Sequence, residues 1–433
     1  MFYNEKMETM PREELRELQG ERLAKTVDLI YNNVEHYRKK MDAAGVKPED
    51  IKSVDDVVKL PFTTYHDLAE TYPFGMAAAP MKELVRLQSS SGTTGKPKIG
   101  VYTRNDLDVW SECGARCMTM AGLTDEDIML VGYGYHLFTG GLGAHDASSR
   151  IGALTIPMGG GSTKKIIDFL IDTQATAIAC TPSYLLHVAE VAEEMGVVDK
   201  LNLRISVNGA EPWTNEMRAR LDEKLHIKTF DIYGLTELCG PGVATDCEYR
   251  EGLHIWEDHF LPEIINPETG EHVPEGEVGE LVISSITRTG QPLLRYRTRD
   301  LTSLKYEKCK CGRTHARIQR FVGRTDDMLI IKGVNVFPTQ VESVLCTIPG
   351  CTPNYFITVD RVNDQDTFQI EVEVDADAFS DEVSEMEALR AKVKSTIKGI
   401  IGLNADIKIV PPNGLEHGMG KTKHVLDKRK LYD

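Results

Sequence analysis

Short apolar runs alternating with helix-patterned stretches fill the middle of this 433-residue chain, and no other feature narrows its fold as much. Residues 128–131, 175–179, 205–207 and 228–232 are such runs. Parallel strands need a long crossover between them, so the alternation predicts an α/β fold with a mostly parallel sheet. Ahead of it, Leu23, Val27, Ile30, Val34 and Tyr37 recur at helical spacing and predict one buried helix face. Residues 367–375 alternate strictly, residues 383–400 carry a helix face, and residues 405–410 read as another strand. That change of pattern predicts a small α+β C-terminal domain after a junction near residues 323–333.

Acidic residues outnumber basic ones, 66 to 50, for a net charge of −16. Such a chain is a poor general binder of nucleic acid or anionic membrane, so phosphates must be met by a few placed cations and backbone N–H groups. The opening MFYNEKMETMPREEL lacks a signal peptide's basic start, and no apolar run reaches the roughly 18 residues of a membrane span. Nine cysteines, without the spacing of a secreted disulfide framework, predict reduced thiols and a cytoplasmic setting.

Glycines cluster at residues 89–95, 132–143 and 159–161, places where α/β proteins turn from strand to helix and bind ligands. The first cluster reads Ser89-Ser90-Ser91-Gly92-Thr93-Thr94-Gly95-Lys96-Pro97-Lys98. Hydroxyls, backbone N–H groups and two ammonium groups in one short loop suit a polyphosphate. It is not a Walker A loop, because Pro97 follows Lys96 and Ser90 stands where that motif has its first glycine.

This loop resembles the signature of the acyl-adenylate-forming superfamily, and four later segments fit in order. Asp231-Ile232-Tyr233-Gly234-Leu235-Thr236-Glu237 is similar to the superfamily's Tyr-Gly-x-(Ser/Thr)-Glu segment. The resemblance implies that Thr236 contacts nucleotide phosphate and that Glu237 helps hold Mg²⁺. Gly209-Ala210-Glu211-Pro212, after Asn208, resembles the loop along adenine. Asp300, closing Tyr296-Arg297-Thr298-Arg299-Asp300, matches the aspartate that accepts from ribose hydroxyls. Gly323-Arg324-Thr325-Asp326-Asp327 matches the interdomain crossing, with Arg324 toward ribose or phosphate and Asp326 at the hinge. Gly418-Met419-Gly420-Lys421 resembles the C-terminal loop whose lysine enters the site for adenylation. Taken singly, each has a plain alternative as a strand end, a charged turn or a solvated tail.

Within the superfamily the chain most resembles phenylacetate–CoA ligases, over nearly its whole length. Residues 135–143 (YHLFTGGLG), 240–244 (GPGVA), 255–260 (IWEDHF) and 326–342 (DDMLIIKGVNVFPTQVE) carry that likeness. It implies a helical part of the large domain at 1–84, an AMP-binding core at 85–325 and a mobile domain at 326–433. It also implies an acyl pocket from Tyr135, Phe138, Ala210 and Pro241, with plain core the alternative for the two aromatics. His136 departs from the family, where glycine is common, and so leaves the acid itself open. Relatives are often dimers, so a homodimer is the expectation by analogy.

Cys309-Lys310-Cys311-Gly312, with Cys247 and His254 upstream, offers three thiolates and an imidazole, a closed tetrahedral set for structural Zn²⁺. The alternative is free thiols and a loop-capping His254. Only part of the family carries these cysteines.

The implied reaction is ATP-dependent. A small-molecule carboxylate attacks the α-phosphorus, giving acyl-adenylate and pyrophosphate; the thiol of coenzyme A then takes the acyl group and AMP leaves. Lys421, residues 93–96 and Mg²⁺ would spread the developing charge. Two alternatives stand beside it: transfer to a carrier protein or other acceptor, and a non-catalytic nucleotide-binding protein, which the presence of Lys421, Glu237 and Asp300 disfavours.

Overall fold

The structure, a computed structural model, describes residues 1–90, 97–325, 329–332, 334–362, 365–380, 382–415 and 424–429. The chain divides into two compact units. The first comprises Met1–Cys180, Val191–Ala210 and Ile227–Arg320; the second comprises Thr181–Glu190, Glu211–His226 and Phe321–Asp433.

In the first unit, the strands Leu154–Ile156, Ile128–Val131, Ala177–Cys180, Ile205–Gly209 and Lys228–Leu235 lie side by side and parallel. Helices Thr139–Ile151 and Thr163–Asp172 occupy two of the crossovers. After Leu235 the sheet turns antiparallel through Gly240–Asp246, Leu253–Ile255, Arg317–Ile318 and Leu304–Lys305. The sheet is therefore mixed, and the expectation of mostly parallel strands holds for one half only. The reason is loop length: residues 236–239 are all that separate Leu235 from Gly240, enough for a hairpin but not a crossover.

A second set of strands, Phe260–Ile265, Gly279–Ser285 and Tyr296–Thr302, pairs antiparallel in that order. Helix Arg12–Asn33 and helix Glu35–Ala43 cover it. The apolar stripe foreseen for one helix spans both, because Val34 takes extended backbone angles between them. Leu23, Val27, Ile30, Val34 and Tyr37 are buried with Leu261, Ile286, Leu294 and Tyr296, each side chain worth about 1.5–3 kcal/mol. Tyr37 and Thr63 lock the seam: their hydroxyls are 2.7 Å apart, Leu294 N donates to the Tyr37 oxygen at 3.1 Å, and Thr63 Oγ1 donates to Leu294 O at 2.6 Å. This fixes the start of the strand that carries Tyr296 and Asp300.

Helix Arg104–Met120 starts in a capping box. Thr103 Oγ1 accepts from Asp106 N, and Asp106 Oδ2 accepts from Thr103 N. Asp106 also accepts from Thr289 N (2.7 Å) and Gly290 N (2.8 Å), tying the helix to a distant loop.

The second unit pairs Cys351–Val362 with Gln365–Val374 antiparallel, with Asp406–Val410 and Val425–Asp427 parallel on the two edges. Val344, Leu345, Ile357, Ile370, Val393 and Ile397 form its core, so helices Pro338–Cys346 and Val383–Ile401 pack on one face. Among the described residues no helix is long and apolar enough to cross a membrane.

Candidate active site

Ligands of open α/β sheets gather beyond the carboxyl ends of the parallel strands. Here those ends include Val131, Cys180, Gly209 and Leu235. Tyr133 links them, its hydroxyl donating to Cys180 O (2.7 Å) and accepting from Gly209 N (3.0 Å). Gly209 has no room for a side chain, since a Cβ would stand 2.1 Å from Ile232 O. Ala210, exposed beside it, holds φ +75°, a strain of the kind that persists at binding sites.

The strand Lys228–Leu235 brings Asp231, Ile232, Tyr233 and Gly234 to the same region. Asp231 N donates to Asp246 Oδ1 (2.8 Å), and Tyr233 donates its hydroxyl to Asp300 Oδ2 at 2.6 Å. Gly234 is packed so closely that a Cβ would meet Gly240 O at 1.9 Å. The chain then turns through buried Thr236 to Glu237.

Glu237 is only 3% exposed, yet its surroundings favour the carboxylate. Lys98 Nζ and the Tyr296 hydroxyl each lie 2.6 Å from Oε1, and Arg288 Nη1 donates to Glu237 O at 2.9 Å. Burial pushes the carboxyl up; the charge of Lys98 and both hydrogen bonds outweigh it and hold Glu237 below its usual range. Lys98 also closes the neck of the Ser/Gly loop: Ser90 N donates to Lys98 O, and Lys98 N to Ser90 Oγ, both at 2.9 Å. Ser91, Gly92, Thr93, Thr94, Gly95 and Lys96 lie outside the described residues, as do Asp326 and Lys421.

Three of the acyl candidates, Tyr135, Phe138 and Pro241, lie near the first turns of helix Thr139–Ile151. Phe138 precedes it and is exposed, whereas Tyr135 is half-buried. Pro241 O accepts from Trp110 Nε1 at 2.7 Å, and Gly143 lets the helix close on Pro241, whose Cγ would lie 2.8 Å from a Cβ there. Glu211, Pro212 and Arg324 fall in the second unit. Within it, Glu211 Oε1 accepts from Ser183 N at 2.6 Å, Pro212 is exposed, and Arg324 sits in the short strand Gly323–Arg324.

Cys247, His254, Cys309 and Cys311 offer ligand atoms all within 4.8 Å of one another. Cys247 Sγ and Cys309 Sγ are 3.8 Å apart, and Cys311 Sγ is 3.5 Å from His254 Nε2. With Zn–S about 2.3 Å and Zn–N about 2.05 Å, a tetrahedron has S···S edges of about 3.8 Å and S···N edges of about 3.6 Å. These two edges of the cage match those of a zinc tetrahedron, and three thiols with one imidazole are a donor set that suits the ion.

Motif reading left Tyr296 and Arg288 without roles, and it gave Lys98 to the polyphosphate and not to Glu237. Lys98 and Tyr296 stand inside quoted segments, and a buried carboxylate's need for a cation and a donor is the signal that points to them. Arg288, whose Nη2 also donates to Val101 O (2.7 Å), has no such signal.

Residues 5–289 match the AMP-binding enzyme family, and residues 333–429 match the AMP-binding enzyme C-terminal domain. A phenylacetate-coenzyme A ligase of Thermus thermophilus is 46% identical, over 99% of this chain and all of its own. That of Escherichia coli K12 is 43% identical over 98% of this chain and 97% of its own. The crystal structure of 2-hydroxyisobutyryl-CoA ligase, in the postadenylation state with R3-HIB-AMP, superposes with a TM-score of 0.92. It shares 26% identity, covering 98% of this chain and 92% of that one.

Proposed function

The chain belongs to the phenylacetate–coenzyme A ligase family of AMP-binding enzymes, and we infer from this that it joins an aryl carboxylic acid, phenylacetate-like, to coenzyme A. ATP drives the joining. A carboxylate oxygen attacks the α-phosphorus and pyrophosphate leaves; the thiol then attacks the acyl carbon of the mixed anhydride, and AMP leaves with the bridging oxygen. The observation that carries this reading is the ionised, buried Glu237 beside Lys98, where strand ends meet the neck of the Ser/Gly loop.

In this reading Glu237 would hold Mg²⁺, which when bound neutralises charge on the triphosphate. Asp300, oriented by Tyr233, accepts from the ribose, Thr236 meets phosphate, and residues 208–212 lie along adenine. Tyr135, Phe138, Ala210 and Pro241 hold the acyl group. Lys421 enters for adenylation and leaves for thioester formation, with residues 326–433 turning about Asp326.

We also propose structural Zn²⁺ at Cys247, His254, Cys309 and Cys311. Four protein ligands leave no open position, so the ion would hold strand Leu253–Ile255 to the 309–312 turn and take no part in turnover. We infer a reducing, cytoplasmic setting from the spacing of the nine cysteines, which is not that of a secreted disulfide framework.

The test is product stoichiometry with Mg·ATP and a panel of aryl and aliphatic acids, with and without coenzyme A. The expected result is sustained release of AMP, pyrophosphate and aryl-CoA in equal amounts, dependent on coenzyme A. Release that stops after one turnover, whether or not coenzyme A is present, would mean another acceptor.

A further inference from the structure

A buried cation holds the turn that carries Thr236 and Glu237. Arg288, 2% exposed, donates through Nη1 to Glu237 O at 2.9 Å and to Leu238 O, and through Nη2 to Val101 O at 2.7 Å. Val101 belongs to the short strand Ile99–Tyr102, which begins directly after Lys98. One guanidinium therefore ties together the two backbones on which the Glu237 carboxylate and the Lys98 ammonium are mounted. Its Cζ lies over the Tyr102 ring, 4.7 Å from the centre, and the Tyr102 hydroxyl donates to Cys239 O at 3.1 Å. The carbonyls of Glu237, Leu238 and Cys239 are thus all fixed by side chains.

The loop that presents Arg288 is fixed in turn. Thr289 N and Gly290 N donate to Asp106 Oδ1 and Oδ2, at 2.7 and 2.8 Å, and a Cβ on Gly290 would stand 2.6 Å from Asp106 Oδ2. Gln291 brackets the strand, accepting from Val101 N (3.2 Å) and donating to Ile99 O (3.1 Å). Gln291 also shows that a neutral amide can bridge this strand. Arg288 instead buries a charge: among the described residues its guanidinium meets carbonyls and no carboxylate within ion-pair distance, and Nε is buried without a hydrogen-bond partner. A cation buried without an anion is costly, and the arrangement makes physical sense where a metal–triphosphate complex binds beside Glu237.

Resting on the reading of Glu237 as the Mg²⁺-holding carboxylate, we propose that Arg288 is a positioning residue for the metal–nucleotide complex. It acts through the Glu237 peptide, setting where the carboxylate stands relative to Lys98. It supplies no atom to the reaction.

The experiment measures ATP affinity by titration calorimetry, once with Mg²⁺ and once with a chelator in its place. The proteins are wild type, Arg288→Lys, Arg288→Met, Glu237→Gln and the Arg288→Met, Glu237→Gln double variant. Arg288→Met should weaken Mg·ATP binding about tenfold, the worth of one charge-assisted hydrogen bond, and leave metal-free ATP unmoved. Arg288→Lys keeps the charge and part of the reach, so it should regain some of that loss. In the Glu237→Gln background Arg288→Met should add less than about twofold, because the residue it acts through is gone. A merely structural role would weaken ATP equally with and without the metal, and would carry over in full to Glu237→Gln. Either result overturns the proposal; if Arg288→Met does not fold, Arg288→Lys decides by the first of them. Mg·ATP affinity lost in Glu237→Gln but unchanged in both Arg288 variants overturns the proposal and leaves the ligase reading intact. A wild type that gains no ATP affinity from Mg²⁺ overturns the reading of Glu237 as well.

Discussion

Glu237 is a buried carboxylate whose counter-charge, Lys98, comes from a distant loop and whose hydroxyl donor, Tyr296, comes from another sheet. Removing the two partners has different consequences. Tyr296→Phe deletes one charge-assisted hydrogen bond and is expected to cost about 2 kcal/mol in urea unfolding. Lys98→Met leaves the carboxylate without a cation and should cost more, about 3 kcal/mol, with Lys98 a quarter exposed and partly screened. Equal losses would contradict the view that the ammonium dominates. At this scale legibility followed chemistry: Glu237, Asp300 and Gly209 are types with few alternatives inside short segments. Their partnerships were not legible, because Lys98 with Glu237 and Tyr233 with Asp300 exist only once separate segments meet.

Elements were read where apolar patterning is clean. Residues 128–131 are a strand as expected, whereas 205–207 runs on to Gly209, because Asn208 and Gly209 pair without adding apolar signal. The second, antiparallel set of strands escaped because it buries charge: Glu263 and Glu280 lie inside against Arg295 and Arg297. Two predictions belong here. Asp106→Ala removes the acceptor for Thr103, Thr289 and Gly290 N–H groups, so it should cost about 3 kcal/mol against about 1 kcal/mol for Thr103→Ala, measured by chemical denaturation. The second concerns the cysteine cage, whose Cys309 N donates to the backbone oxygen of Arg313, a residue whose guanidinium holds Glu8 and Met1 O. Metal analysis should find about one zinc per chain, and Cys309→Ser should lose it and lower the thermal midpoint by about 5 °C. Metal-free protein with an unchanged midpoint would refute the site.

Across the whole molecule, His259 makes stability depend on acidity. It is buried, with Nδ1 2.9 Å from Thr287 Oγ1 and Nε2 3.1 Å from Asp258 Oδ2. Burial, opposed by Asp258 and aided by Arg116, pushes its pKa down to about 4 from 6.5. Between those values the unfolded chain binds a proton that the native chain refuses, so stability is full above 6.5 and falls as pH drops toward 4. The loss should reach about 3 kcal/mol, and His259→Asn should flatten that part of the profile. An identical slope in the variant would place the acid sensitivity elsewhere.

The central claim is that the acid becomes a mixed anhydride with AMP before it meets the thiol. Carboxylate labelled with ¹⁸O tests it most directly, by mass spectrometry of the nucleotide and phosphate products after turnover with Mg·ATP and coenzyme A. Attack at the α-phosphorus predicts AMP carrying one ¹⁸O from the acid and unlabelled pyrophosphate. Label in inorganic phosphate, with ADP as the nucleotide product, would mean an acyl phosphate and would contradict the account.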